Sequence, residues 1–134
     1  MTTHQNCTTF SDSELQTFID LRRQIHAAPE LGAETPHTAE LVAARLEQWG
    51  YQVHAGIGGH GLVGVLKKGQ GSRRIGLRAD MDALPMQEKN PFAHASKIAG
   101  RMHACGHDGH TAILLAAAYR LANSDFNGTL NLIF

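Results

Sequence analysis

Three of the nine histidines, one of the two cysteines and an aspartate fall within eight residues of the stretch Met102-His103-Ala104-Cys105-Gly106-His107-Asp108-Gly109-His110-Thr111. A soft thiolate, borderline imidazoles and a hard carboxylate lie side by side, flanked by glycines that let the backbone turn tightly. Such a mixture suits a borderline divalent ion such as Zn²⁺, or Mn²⁺ where carboxylates join the shell. Ala112-Ile113-Leu114-Leu115-Ala116-Ala117-Ala118-Tyr119 follows at once, an apolar run of good helix formers. The polar cluster therefore sits at the mouth of a buried helix, and the fold must hold both where they meet.

The rest of the chain reads as helices and short strands. Residues 1–10 are polar and read as a flexible tail, and residues 11–134 as the folded portion. Ser11-Asp12-Ser13-Glu14 is a capping box that opens a helix. Leu15, Phe18, Ile19, Leu21 and Ile25 carry that helix to about Ala27, before Pro29. Thr35-Pro36 opens a second helix, with Thr35 as N-cap and a buried stripe of Ala39, Val42, Leu46 and Trp49 that stops at Gly50. Tyr51 to His54 alternates like a strand, and the glycines from Gly56 to Gly61 make a hairpin turn. Leu62 to Leu66 and Arg74 to Asp80 are further strands. Residues 86–101 form a long polar loop, and Asp108 or Thr111 caps the helix running to about Asn123. Asn127-Gly128 is a turn before a last strand, Thr129 to Phe134. This order predicts an α/β fold, a mixed sheet flanked by helices.

Composition narrows the function. The formal net charge is zero, which argues against a nucleic-acid or anionic-membrane partner, since either would need a basic face. No apolar run approaches the roughly 20 residues that cross a bilayer. The first ten residues hold no Lys or Arg and no apolar stretch, unlike a signal peptide. With Cys7 and Cys105 unlike in setting, a disulfide framework is not expected, and the cytoplasm is the default location. The chain stops at Leu130-Asn131-Leu132-Ile133-Phe134, in mid-strand by pattern, which reads as an N-terminal piece of something longer.

The candidate chemistry sits at two places. Cys105 and His107 are i, i+2, and Gly106 between them permits the twist that would converge them on one ion. Asp80 and Asp82 are also i, i+2 and share one face of an extended strand end. One of them could ligate metal while the other holds a histidine in its correct tautomer. Blander roles stand beside these: a buried Cys with a capping His, two aspartates closing a turn before Pro85, and His103 and His110 as ordinary hydrogen-bonding histidines. Two further chemistries remain open. Cys105 at a helix N-terminus could be a nucleophile, or the cluster could be a closed structural zinc site.

Three longer motifs carry a resemblance. They are Leu21-Arg22-Arg23-Gln24-Ile25-His26-Ala27-Ala28-Pro29-Glu30-Leu31-Gly32, then Gly76-Leu77-Arg78-Ala79-Asp80-Met81-Asp82-Ala83-Leu84-Pro85, then Gly100-Arg101 leading into the stretch from Met102 to Thr111. In order and spacing the chain resembles the M20-type metallopeptidases, in the amidohydrolase branch of hippurate, N-acyl-amino-acid and auxin-conjugate hydrolases. The resemblance implies the N-terminal part of a zinc-peptidase-like catalytic domain and cleavage of the amide bond of small N-acyl amino acids. It implies two divalent ions in the complete enzyme, zinc or manganese with nickel also compatible, and partial occupancy at most in this chain. It makes Cys105 and His107 metal ligands, Cys105 shared between the ions, and Asp82 the acid that orients the site. Ligation is not carried onto Asp80, which stands where the broader family has a ligating His. The resemblance places the general-base Glu, the later ligands and a lid domain that often dimerises beyond Phe134, so this chain alone is expected to be inactive.

Overall fold

The computed structural model describes residues 9–134. Cys7 and most of the expected tail lie outside them. Phe10, at the end of that tail, meets Phe18 edge-on at 5.5 Å, and the Arg120 guanidinium lies over its ring at 4.4 Å.

Three helices, α1 (Asp12–Ala27), α2 (Pro36–Gln48) and α3 (His107–Ala122), pack on a four-stranded sheet. Its strands are β1 (Gln52–Ile57), β2 (Gly61–Lys68), β3 (Arg74–Arg78) and β4 (Gly128–Ile133), in the spatial order β1-β2-β4-β3. β1–β2 and β2–β4 are antiparallel, and β3–β4 are parallel. The sheet is therefore mixed, as expected, and α3 lies in the crossover between its two parallel strands.

Alternation along the strands selects one face for the core. Leu62, Leu132 and Phe134 join Phe18, Leu21, Val42, Leu46, Leu114, Leu115 and Ala118 in one buried cluster. Helix α2 can sit close because Gly64 has no side chain: a Cβ there would lie 2.8 Å from Leu46 Cδ1. Tyr51 is buried just before β1 and its hydroxyl donates to the Ala118 carbonyl at 2.9 Å, tying the sheet to α3. Burial pushes that phenol up to about 12. Not every apolar position of the expected helices is inside. Leu15 is 50% exposed and Ile113 69%. Both line an apolar groove between α1 and α3.

The capping box of α1 forms as read: Glu14 N–H donates to Ser11 Oγ, and Ser11 N–H donates to the Glu14 carboxylate. The start of α2 is different. Thr35 makes no side-chain cap bond. The buried Glu30 does that work from outside the helix, accepting from His37 N–H at 3.0 Å, Thr38 N–H at 2.7 Å and Thr38 Oγ1 at 2.6 Å. A carboxylate on free N–H groups at a helix N-terminus combines capping with a favourable dipole contact. The Glu30 carbonyl also accepts from Ala83 N–H at 2.7 Å, so the same residue fixes the segment just beyond Asp82. Replacing Glu30 by Ala is expected to lower stability by about 1–3 kcal/mol, read as a shift in urea midpoint. Thr35→Val is expected to cost less.

Candidate metal centre

The carboxyl end of β3 and the N-terminus of α3 meet, which is where open α/β sheets collect ligands. After Arg78 the chain stays extended, with Ala79 N–H donating to the Ile133 carbonyl at 3.0 Å. This carries Asp80 and Asp82 past the sheet edge. On the other side Gly106 adopts φ +86°, a left-handed conformation that glycine takes without strain, and turns the chain into α3. His107 and His110 then share one face of the first helical turn, rings stacked with centroids 5.4 Å apart.

The two aspartates grip His107 from both sides. Its Nδ1–H donates to Asp82 Oδ1 at 2.9 Å and to the Asp82 carbonyl at 2.9 Å. Its Nε2 lies 3.4 Å from Asp80 Oδ2. The other oxygen of Asp80 accepts from His110 Nδ1–H at 2.7 Å, and its backbone carbonyl accepts from Thr111 Oγ1 at 2.9 Å. Burial would raise the Asp80 carboxyl. The His110 hydrogen bond and the charges of both imidazoles outweigh that and hold it below the usual carboxylate range. Asp80, His107 and His110 each offer a ligand atom within 4.8 Å of the others. Two imidazoles and a carboxylate are a donor set that fits a borderline divalent ion. Cys105 is an exposed free thiol in the loop before Gly106 and is not part of that three-residue group.

Behind this face lies a buried ionic network. His26 Nδ1 is 2.7 Å from Asp108 Oδ2, and its Nε2 is 3.0 Å from Glu88 Oε1. Arg22 Nε lies 2.9 Å from the same Asp108 oxygen. Glu88 further accepts from the backbone N–H of Ser96 and from Asn90 Nδ2. The network ties α1, the loop of residues 86–101 and the start of α3 into one unit. Burial opposes ionisation of Glu88, but these hydrogen bonds and the His26 charge push it down to about 2.

The expected cap of α3 is thereby corrected. Asp108 is in the first turn but is 1% exposed and spent on Arg22 and His26, while Thr111 serves the Asp80 carbonyl. Gly106 is the N-cap and supplies no side chain. His103 is also buried, 6.3 Å from the His26 ring. Neither of its ring nitrogens has a hydrogen-bond partner among the described residues. Burial pushes its imidazole down, toward the neutral form. Sequence reading passed over Glu88 and His26 as network members. The signal for His26 was its place in the motif from Leu21 to Gly32, whereas Glu88 stands in a loop with none.

Fold and site together define a class: an α/β domain with metal-type donors gathered at the carboxyl end of a parallel strand. The comparisons narrow it. Residues 76–134 match the model of peptidase family M20/M25/M40. It is 56% identical over 117 residues to a hippurate hydrolase of Campylobacter jejuni, covering 87% of this chain and 30% of that relative. It is 42% identical to an N-acyl-L-amino acid amidohydrolase of Geobacillus stearothermophilus, covering 84% of this chain and 31% of the relative. Among solved structures it superposes on the Bacillus subtilis YXEP protein, described as a dinuclear metal binding peptidase. The TM-score is 0.87 and the identity 34%, over 92% of this chain and 36% of that one. The family's members are hydrolases, and the chain spans about 30% of the length of the curated relatives it matches.

Glu88 generates a pH prediction. Its folded value of about 2 lies below the ordinary 4.5, so its contribution is complete above about pH 4.5 and is lost as pH falls toward 2. Glu88→Gln is expected to cost about 1.5–3 kcal/mol near neutral pH and less in acid, measured by denaturant titration across that range.

Proposed function

We propose that this chain supplies the N-terminal part of the catalytic domain of a metal-dependent hydrolase that cleaves the amide bond of N-acyl amino acids. The observation that carries the reading is the clamp on His107. Asp82 accepts from His107 Nδ1–H, so Nε2 is the ring nitrogen turned toward a metal. The names of the relatives, hippurate hydrolase and N-acyl-L-amino acid amidohydrolase, point to the substrate class.

In this reading Cys105 and His107 are the ligands this chain contributes, and Asp82 positions His107. Divalent ions held there would polarise the scissile carbonyl and acidify a water. The chain's own residues set up that chemistry. Asp82 fixes the imidazole tautomer and makes His107 a stronger donor. Gly106 lets residues 105 and 107 be presented around one tight turn. The Arg22–His26–Asp108–Glu88 network holds the start of α3 against α1, so the His107 backbone does not drift.

The test uses the complete polypeptide and hippurate. Cys105→Ser and His107→Ala are expected to lower both metal content and kcat/KM at least about a hundredfold, and Asp82→Asn about ten- to a hundredfold. Intact metal content and activity in Cys105→Ser would overturn the ligand assignment. Activity that survives exhaustive chelation would move the chemistry to the Cys105 thiol.

A further inference from the structure

We infer that the apolar groove between α1 and α3 is the seat of a later segment of the same polypeptide, one that follows Phe134 and presents an apolar face with a carboxylate set against Arg23. The inference does not use the metal reading above, so either can fail without the other.

The sequence of α3 is the starting point. From Ala112 to Ala118 every residue is apolar, so the middle of this helix has no polar face to turn to water. A helix that is apolar all round belongs in an interior. Leu114, Leu115 and Ala118 are inside the core, but Ile113 is left 69% exposed. Across from it on α1, Phe18 and Leu21 go to the core while Leu15 stays 50% exposed. Between the two helices lies an open groove of about 620 Å³, which Leu15 and Ile113 both line. On the α3 side Gly109, Ala112 and Ala116 are too small to fill it, and no residue of α2 or the sheet reaches it. An apolar surface of this kind on a soluble unit marks a contact with something else.

Length and charge select the occupant. The chain spans 30% of the length of its Campylobacter relative, so the remainder of a comparable polypeptide has to pack on this unit somewhere. The charged residues that line the groove are Arg22, Arg23 and Arg120, all positive. The two helices run antiparallel, with Arg22 held by Asp108 at 2.9 Å at one end and Arg120 facing Glu14 at 3.7 Å at the other. Phe10 closes the Arg120 end, under the guanidinium. Arg23 is exposed and has no ion-pair partner among the described residues. A second copy related by a two-fold axis would set this basic lining against itself, and like charges across a contact are unfavourable. A segment of different sequence can bring apolar side chains for Leu15 and Ile113 and an Asp or Glu for Arg23.

The experiment uses the complete polypeptide carrying Ile113→Cys. The rate of alkylation by iodoacetamide at that position is read by peptide mass spectrometry and compared with the rate in urea. Labelling at least about a hundredfold slower than in the unfolded chain, and independent of protein concentration, is the expected result. Labelling at the unfolded rate at every concentration would show an open groove and overturn the inference. Protection that appears only as concentration rises would assign the groove to a second copy and overturn it equally. Leu15→Cys reads the same groove from α1 if Ile113→Cys does not fold, as checked by circular dichroism. The charge is tested with Arg23→Lys and a carbodiimide, which is expected to join the new amine to an Asp or Glu beyond Phe134. A cross-link to residues 1–134 instead would contradict the proposed partner.

Discussion

One buried imidazole holds this molecule's working end together. His26 sits 3% exposed between the carboxylates of Asp108 and Glu88, with Arg22 beside it. Burying charge is costly unless the partners are in place, and removing one partner strands the others. The network therefore has few half-formed states, and it joins three segments far apart in the sequence. Among them is residue 108, whose neighbour His107 faces the two aspartates. The position of that imidazole is inherited from a contact on the opposite side of the helix start.

Much of this frame could be read from the residues. The capping box at Ser11, the proline at the start of α2 and the glycine hairpin are local rules, and each element formed within a few residues of its expected limits. What could not be read was long-range. Thr35 has the right type and place for a cap, yet Glu30 takes the N–H groups because the chain folds back and delivers a full charge to them. Asp108 looked like a cap for the same local reason and was claimed by α1 instead. Local pattern names the residue types that can satisfy a backbone group. It does not say which tertiary neighbour arrives first.

The site divides the same way. The i, i+2 spacing of Asp80 and Asp82 suggested that one would bind and the other would orient, and the pair does meet His107 from two sides. That His110 would close a triangle with Asp80 and His107 was not legible, because it depends on the angle at which α3 leaves Gly106. Of the two residues read as a ligand pair, His107 stands in the cluster and Cys105 stands in the exposed loop leading to it.

All of this turns on whether the free nitrogen of His107 is a metal donor. A crystal structure of the zinc-loaded chain, with anomalous data at the zinc edge, addresses that directly. The account predicts an anomalous peak about 2.0–2.1 Å from His107 Nε2, with Asp82 still hydrogen-bonded to Nδ1. A peak elsewhere, with the His107 ring shared between Asp80 and Asp82, would contradict it.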